Sequence, residues 1–378
     1  MRISHNFDSG AIEVVDLSDP ANLRLRLPAD NAAEFRQWFH FRLQGAANQR
    51  LRMVFENASE AAYPDWAGYR CVASYDRKNW FRIAATRMED GKLIVEHTPD
   101  RDSIYYAYFE PYSYERHLDM LGWVEMSPYA RIDHLGVTVQ GRDIDHVVVG
   151  RPAPRRKPVW IIARQHPGET MAEWFVEGLL ERLLDGADPV ARRVREYAVL
   201  HIVPNMNPDG AILGNLRTNA AGRNLNREWL SPDAGTSPEV HHVRAEMERT
   251  GCELFLDIHG DESLPYVFFA SSEGLDCHDE RMAALQQKFV ANTLAVSPDF
   301  QTEHGYEQGR FGADSLKLAS NWVANRFGCL SLTLEMPFKD NANLPDGQTG
   351  WNGARSKRLG AAMLNPILAH LETLRQAG

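Results

Sequence analysis

The sequence predicts an α/β domain with a largely parallel sheet flanked by helices, preceded by an all-β sandwich domain. Short, often alternating segments fill about the first 115 residues, and continuous apolar runs alternate with helical patterns after them. Strands that alternate with helices along the chain are typical of an α/β fold. The 378 residues exceed the roughly 150 of an average domain. We therefore place the N-terminal domain at residues 1–115 and the second domain at residues 116–378.

The N-terminal region contains a series of short predicted strands. Examples are LRLRL, QWFHFRLQG, RLRMVFEN and KLIVEHT, and turn signals such as DG and RKN separate the segments. Closely spaced short strands indicate a β-sandwich. The segment FEPYSYERH (109–117) contains proline and polar residues, and we interpret it as the junction between the domains.

The second region contains strands that are apolar throughout, including PVWIIAR, AVLHIVPN, ELFLDIHG and CLSLTLEMPF. Such runs are typical of strands buried on both faces. Residues 170–186 carry apolar side chains at three- and four-residue steps, which predicts a helix. Thr170 and Glu173 match a capping box at its start. The C-terminal segment predicts an amphipathic helix with a kink near Pro366.

The composition of the chain bears on its binding partners and its cellular location. The formal net charge of −10 argues against a nucleic-acid partner, because phosphate binding needs clustered Lys and Arg. No segment approaches the roughly 18 consecutive apolar residues of a membrane span, and the first residues lack the apolar core of a secretory signal. The four cysteines have no CxxC spacing and predict reduced thiols in a cytoplasmic protein.

Polar side chains follow two of the apolar strands. His166 comes directly after VWIIAR, Glu169 opens the next helix, and His259 ends LFLDIH. In an α/β sheet, function collects at the carboxyl ends of strands. Two imidazoles and one carboxylate suit Zn²⁺ and leave a position open for water. The sequence therefore predicts a catalytic zinc site, although a polar turn with a helix-capping glutamate stays open for the first two residues.

The spacing HxxE alone is a weak signal, since it occurs three times, at His166/Glu169, His259/Glu262 and His304/Glu307. Position at a strand end favours the first pair and His259. On this interpretation Glu262 and Glu307 are surface or loop residues.

A third strand, LSLTLEMPF, contains Glu335 in an otherwise apolar run. A general base for zinc-activated water needs such a partly desolvated place, which raises its pKa toward working pH. A buried glutamate paired with an arginine is the alternative. The loop after VLHIVPN carries Arg217, Arg223 and Arg227, whose guanidinium groups suit a carboxylate or an oxyanion. A solvated basic loop is the alternative, above all for Arg223.

The motifs HPGET, NPDG with NLNREW, DIHG and LTLEMPF, in this order, resemble the M14 (carboxypeptidase A-like) zinc metallocarboxypeptidases. The N-terminal segments WFHFRLQG and YAYFEPYSYERH resemble those of the cytosolic carboxypeptidase subfamily. The resemblance implies a mixed, carboxypeptidase-like sheet and a Zn²⁺ cofactor. It also implies hydrolysis of the C-terminal peptide bond of peptides or proteins, with a preference for acidic C-terminal residues.

The resemblance also implies roles for seven residues: His166, Glu169 and His259 as zinc ligands, Glu335 as general base, Arg217 as the group that polarises the scissile carbonyl, and Asn226 with Arg227 as the grip on the substrate carboxylate. Asn224 stands where many relatives have Asp. The active-site tyrosine of the family has no clear match, and Tyr306 is a poor positional candidate. Lys317 and Arg310 are candidates for a basic specificity residue.

Two other functions stay open. The first is a zinc deacylase of the aspartoacylase or succinylglutamate desuccinylase type, which has a similar zinc site and a loop like NLNR. The HPGET form and the long N-terminal β region favour the carboxypeptidase. The second is a peptide-binding module with a catalytically weak site, which the missing tyrosine allows.

Overall fold

A computed structural model describes residues 1–307 and 312–376 of the chain. Two five-stranded sheets form the N-terminal region. In spatial order, the first contains β1 (Arg2–Ser4), β4 (His40–Gln44), β10 (Ser103–Ala107), β6 (Val72–Ser74) and β7 (Phe81–Arg82). The second contains β2 (Glu13–Asp16), β3 (Leu23–Arg26), β5 (Leu51–Phe55), β9 (Lys92–His97) and β8 (Thr86–Glu89).

Alternation along the strands explains how these sheets pack. In β3, Leu23 and Leu25 are buried, while Arg24 points outward and pairs with Glu56. Aromatic side chains join the core between the sheets, where the Phe39 ring lies 4.7 Å from the ring of Phe55. The predicted all-β sandwich is confirmed.

The rest of the chain is built on one seven-stranded sheet. Its order is β11 (Ala130–Val137), β12 (Asp143–Val149), β14 (Ala198–Val203), β13 (Lys157–Ala163), β15 (Leu254–Asp261), β17 (Leu330–Pro337) and β16 (Phe268–Ser271). The four strands β14, β13, β15 and β17 are parallel, whereas β11, β12 and β16 add antiparallel pairs at the two edges. The sheet is therefore mixed with a parallel centre, as predicted.

Helices cover both faces of this sheet. They are α1 (Tyr114–Glu125), α2 (Met171–Leu183), α3 (Pro189–Tyr197), α4 (Pro208–Leu213), α5 (Pro238–Thr250), α6 (Glu280–Val296), α7 (Ala319–Phe327), α8 (Gly353–Ala362) and α9 (Leu364–Gln376). Along β13, Val159 and Ile161 share one apolar cluster with α2, whereas Trp160 and Ile162 share another with α5 and α7. Burial on both faces explains the uninterrupted apolar strands. Within the described ranges, no helix combines the length and apolarity that a bilayer crossing requires.

One helix prediction is wrong, and another agrees with the structure. Thr170 does not cap α2, because its hydroxyl donates to the carbonyl of Glu110, and Glu173 is fully buried in an ion pair with Arg164. The break expected near Pro366 is present: the C-terminal segment forms two helices that meet at Met363, and Pro366 lies in the first turn of the second. In one continuous helix the proline ring would clash with the carbonyl of Ala362, four residues earlier, and the first helix ends at that residue.

The segment that joins the two regions runs from the end of β10 to the start of α1. The predicted boundary after residue 115 lies in the first turn of α1, and it stays a prediction.

Candidate metal centre and active site

The candidate site lies at the carboxyl ends of three adjacent parallel strands. His166 follows β13, His259 lies near the end of β15, and Glu335 lies near the end of β17. His259 and Glu335 are direct partners in the register of β15 and β17. Parallel pairing therefore brings together residues that are far apart in the sequence.

Three donor groups converge at this edge. The Nδ1 atom of His166 lies 2.6 Å from Oε1 of Glu169, and Nδ1 of His259 lies 2.7 Å from Oε2 of the same carboxylate. The potential ligand atoms of these three buried residues all lie within 4.8 Å of one another. The backbone N–H of Gly260 donates to Glu169 as well, which fixes the shared carboxylate.

A second set of contacts orients both imidazoles. The Nε2 atom of His166 lies 3.0 Å from Oδ1 of Asn224, and Nε2 of His259 lies 3.0 Å from Oδ1 of Asp257. With Nε2 engaged, each ring presents Nδ1 to Glu169. Such outer contacts set ring orientation and ligand basicity in metal sites.

The electrostatics of the cluster suit a bound cation. Burial, with a contribution from Arg217, lowers the pKa of His166 to about 3, so this imidazole is neutral and offers a lone pair. Burial also acts to lower the pKa of His259, but the carboxylates of Asp257 and Glu169 outweigh it and raise that pKa. Two buried carboxylates around one imidazole thus favour a positive charge between them. Nitrogen and carboxylate donors are the ligands that Zn²⁺ accepts, so these residues fit a zinc ion.

The turn between His166 and Glu169 depends on a close approach. The N–H of Gly168 donates to the carbonyl of Leu216, and a Cβ added at Gly168 would lie 3.0 Å from the Leu216 Cα. A side chain at this position would require the arginine loop to move away by a few tenths of an ångström. The side chain of the buried Arg164 donates to the carbonyl of Pro167, and this hydrogen bond holds the turn in place.

Glu335 is buried beside the cluster. Its Oε1 lies 3.0 Å from the Tyr306 hydroxyl, whose single proton is shared between this oxygen and Asp261. The Oε2 atom has no partner in the part of the chain that the structure describes. Burial, together with the charge of Glu169, raises the pKa of Glu335 well above its ordinary value. One oxygen is therefore held, and the other is available.

The arginine loop supplies the remaining polar groups. The Arg217 guanidinium lies 5.7 Å from the rings of both Phe35 and Tyr63. The side chain of Asn226 accepts a hydrogen bond from the N–H of Ala319 at 2.9 Å. Asn226 and Arg217 both line a cavity of about 190 Å³ that also contains the three candidate metal ligands. Further residues lining this cavity are His166, Glu169, Arg227, His259, Asp261, Glu262, Tyr306, Ser320, Asn321, Thr333 and Glu335.

A family model described as zinc carboxypeptidase (M14 peptidases) matches residues 124–351, more than half of the chain. The chain belongs to the M14 zinc carboxypeptidase family. A second model, described as the cytosolic carboxypeptidase N-terminal domain, matches residues 3–109. The chain is therefore a metallocarboxypeptidase, a hydrolase of peptide bonds, and its N-terminal region is that of the cytosolic carboxypeptidases.

Solved structures and curated relatives agree with this assignment. The crystal structure of a metallo-carboxypeptidase from Burkholderia cenocepacia is 56% identical, with a TM-score of 0.96 and coverage of 98% of this chain and 99% of that one. A metallo-carboxypeptidase from Pseudomonas aeruginosa, in complex with (2-guanidinoethylmercapto)succinic acid, is 45% identical with a TM-score of 0.95, and 99% and 100% of the chains are covered. Mouse cytosolic carboxypeptidase 6 is 30% identical over 82% of this chain and 61% of its own length.

The structure corrects two interpretations of the sequence. Tyr306 is not a poor candidate, because its hydroxyl contacts Glu335 and donates to Asp261 at 2.6 Å. Glu262 lies in a loop, as one half of its interpretation stated, but it is not a surface residue, since it is only 4% exposed and lines the cavity. Both residues lie in segments without a periodic pattern, so only the fold shows where their side chains point.

Other candidates lie outside the centre of the carboxypeptidase site. Arg223 is half-exposed and pairs with Glu228 at 2.8 Å. Lys317 pairs with Asp314 at 2.7 Å and does not line the cavity. Arg310 lies outside the described residues.

Several site residues were missed at the sequence level. Asp257 had a usable signal, because it is a charged residue inside the buried strand LFLDIHG. Asp30 and Tyr63 had none, since they lie in loops of the N-terminal sandwich that carry no motif. Their place beside Arg217 is a consequence of domain packing.

Proposed function

We propose that this carboxypeptidase is a zinc-dependent exopeptidase that hydrolyses the C-terminal peptide bond of peptides or proteins. In this proposal His166, Glu169 and His259 hold the zinc ion, and Glu335 is the general base. The observation that carries the proposal is the convergence of three donors suited to a metal ion beside a buried carboxylate, one oxygen of which has no partner among the described residues.

A bound zinc ion would supply Lewis acidity toward the scissile carbonyl and lower the pKa of water toward about 7. Glu335 takes a proton from the attacking water on its free Oε2 and returns it to the leaving amine. Its raised pKa suits a group that must hold a proton between two transfers. Tyr306, bonded to Oε1, keeps the carboxylate in one orientation.

The two arginines of the loop, Arg217 and Arg227, bind different groups of the substrate. Arg217 donates to the scissile carbonyl oxygen as negative charge develops on it, a role in which a prepositioned donor stabilises the transition state. Asn226 and Arg227 bind the free C-terminal carboxylate. This clamp makes the enzyme an exopeptidase, because an internal peptide bond has no carboxylate to place there.

A preference for acidic C-terminal residues is the finer part of the proposal. It is supported by the similarity to cytosolic carboxypeptidases. We place the enzyme in the cytoplasm on the same similarity.

The test is mass spectrometry of a peptide library with every C-terminal residue, using zinc-loaded protein. We expect removal of single C-terminal residues, fastest for Glu and Asp, and no activity in Glu335→Gln, which should retain its zinc. C-terminally amidated peptides should be poor substrates, and their cleavage at the rate of the free acids would refute the carboxylate clamp. Hydrolysis of acyl-amino acids without cleavage of peptides would instead favour the deacylase.

A further inference from the structure

A second group of possible metal ligands lies away from the candidate active site. It consists of His146 in β12, His201 in β14 and Glu246 in α5. One potential ligand atom of each residue lies within 4.8 Å of the other two. None of the three lines the cavity of the candidate active site, and none has a role in the proposed reaction.

The group lies on the face of the seven-stranded sheet that α5 covers. Trp160 of β13 and Met247 of α5 belong to one apolar cluster. The Trp160 ring stacks on both imidazoles, with centroid distances of 5.1 Å to His146 and 4.7 Å to His201. Trp160 precedes the last residue of β13 by three positions, about 10 Å at the rise of a strand, whereas His166 follows that end. The two groups of ligands are therefore separate sites.

The two imidazoles of this group are in direct contact. Nε2 of His146 lies 3.0 Å from Nδ1 of His201, and the ring planes differ by 18°. His146 is fully buried and His201 is nearly so. The Nδ1 atom of His146 has no hydrogen-bond partner among the residues that the structure describes. Because buried polar atoms are nearly always paired, the contact between the rings does not complete the interactions of His146.

Both rings are neutral near pH 7. Burial, together with the nearness of His146, lowers the pKa of His201 to about 3. Burial also lowers the pKa of His146 to about 4, and the opposing charge of Glu246 does not overcome it. A neutral imidazole carries a lone pair, which is the form in which histidine binds a metal ion. The group therefore offers two nitrogen donors beside one carboxylate.

Two arginines pair with the carboxylates near the rings. Arg249 contacts both oxygens of Glu246. Arg131 contacts Asp133, which lies opposite His146 in the register of β11 and β12. Both arginine side chains are exposed, and ion pairs in such places contribute little. Glu246 can therefore bind a cation with one oxygen while Arg249 stays on the other.

We propose that His146, His201 and Glu246 form a second site for a divalent transition-metal ion such as Zn²⁺. Two imidazole nitrogens and a carboxylate oxygen are borderline donors, which suit Zn²⁺ better than Mg²⁺ or Ca²⁺. The ion would replace the proton that the two facing nitrogens share. Because its ligands come from two strands and a helix, it would hold α5 against the sheet and stabilise the folded chain.

The test counts the metal ions bound by the full chain. Metal-free protein is dialysed to equilibrium against Zn²⁺, and the zinc bound per chain is measured by inductively coupled plasma mass spectrometry. We expect two ions in the unaltered protein, one of them in the candidate active site. Glu246→Gln keeps the size of a partly exposed helix side chain and should fold. Its affinity for the second ion should be at least about 100-fold weaker, since even loss of an outer contact weakens metal binding about 10- to 100-fold.

Two further variants complete the comparison. His201→Leu removes another ligand and should also lose the second ion, whereas His241→Gln changes an exposed histidine of the same helix and should keep both ions. A second ion that remains bound in Glu246→Gln and in His201→Leu would overturn the proposal. A single ion in the unaltered protein that Glu246→Gln leaves in place would overturn it as well. In thermal unfolding, the second equivalent of Zn²⁺ should raise the midpoint of the unaltered protein but not that of Glu246→Gln, and equal shifts would contradict the site.

The inference does not rest on the proposed function, and the ion counts keep the two apart. Glu169→Gln changes a proposed ligand of the active site and should weaken binding of the first ion alone. A single ion that Glu246→Gln removes and Glu169→Gln retains would support the second site and refute zinc in the candidate active site. No zinc binding at all by the unaltered protein would refute both.

Discussion

The carboxylate of Asp30, in the N-terminal sandwich, holds the backbone of Arg217 in the arginine loop. Its two oxygens accept from the N–H groups of Leu216, Arg217 and Thr218 at 2.7, 2.8 and 2.9 Å. Asp30 is 6% exposed, so these bonds form away from water. The N-terminal region therefore takes part in shaping the site of the catalytic region.

Replacement of Asp30 should impair catalysis through Arg217. In Asp30→Ala three neighbouring N–H groups lose their acceptor, and the loop can shift. We expect kcat/KM to fall roughly tenfold to a hundredfold, since small displacements of a transition-state donor are costly. Steady-state kinetics of zinc-loaded protein measure this effect. Asp100→Asn, an exposed change in the same sandwich, is the control, and full activity in a folded Asp30→Ala protein would contradict the role.

The amide of Asn224 should tune metal affinity. Its Oδ1 contacts Nε2 of His166 and thereby orients the ring. Loss of such a contact typically weakens metal binding about 10- to 100-fold. Zinc competition with a chelator should show this loss for Asn224→Ala. Asn224→Asp keeps an acceptor and adds charge, so it should bind zinc at least as tightly as the unaltered enzyme. Equal zinc affinity of Asn224→Ala would show that the contact is unimportant.

The hydroxyl of Tyr306 should set the acidic limit of the pH profile. Its hydrogen bond lowers the pKa of Glu335 against the opposing, larger effect of burial. Tyr306→Phe removes that bond, so the pKa of Glu335 rises, and the base becomes protonated at higher pH. The acidic limb of kcat/KM against pH should therefore move upward. A limb that stays in place, or moves to lower pH, would exclude this coupling.

A buried histidine, linked through Glu173 and Arg164 to the turn between His166 and Glu169, should make stability depend on pH. His117 lies 2.6 Å from Glu173 and 3.2 Å from Asp145. Burial acts to lower its pKa, but the two carboxylates outweigh burial and raise the pKa to about 9. Because the folded pKa exceeds the ordinary 6.5, the stabilisation is complete below pH 6.5 and is lost as pH rises through about 9.

Urea unfolding at several pH values tests this relation. The free energy of unfolding should fall by about 2–4 kcal/mol between pH 6.5 and 9.5. His117→Gln should be less stable at pH 6.5 and should lose most of this slope, whereas the exposed His5→Gln should keep it. The same slope in His117→Gln and in the unaltered protein would assign the pH dependence to other groups.

The sequence by itself indicated the fold class and the group formed by His166, Glu169, His259 and Glu335. This was possible because strands buried on both faces leave a clear apolar pattern, and each of these polar residues lies within such a strand or shortly after its end. Parallel pairing then makes neighbours of residues in different strands, as the register of His259 and Glu335 shows. The chemical roles of these residues remain predictions until they are measured.

Only the tertiary structure decided what surrounds that group. Asp30 and Arg217 are 187 residues apart, and Glu262 and Tyr306 lie in segments without periodicity. A loop side chain can point into a cavity or into solvent with the same local sequence. Its direction is set by the domain that packs against it, and that packing is a property of the whole chain.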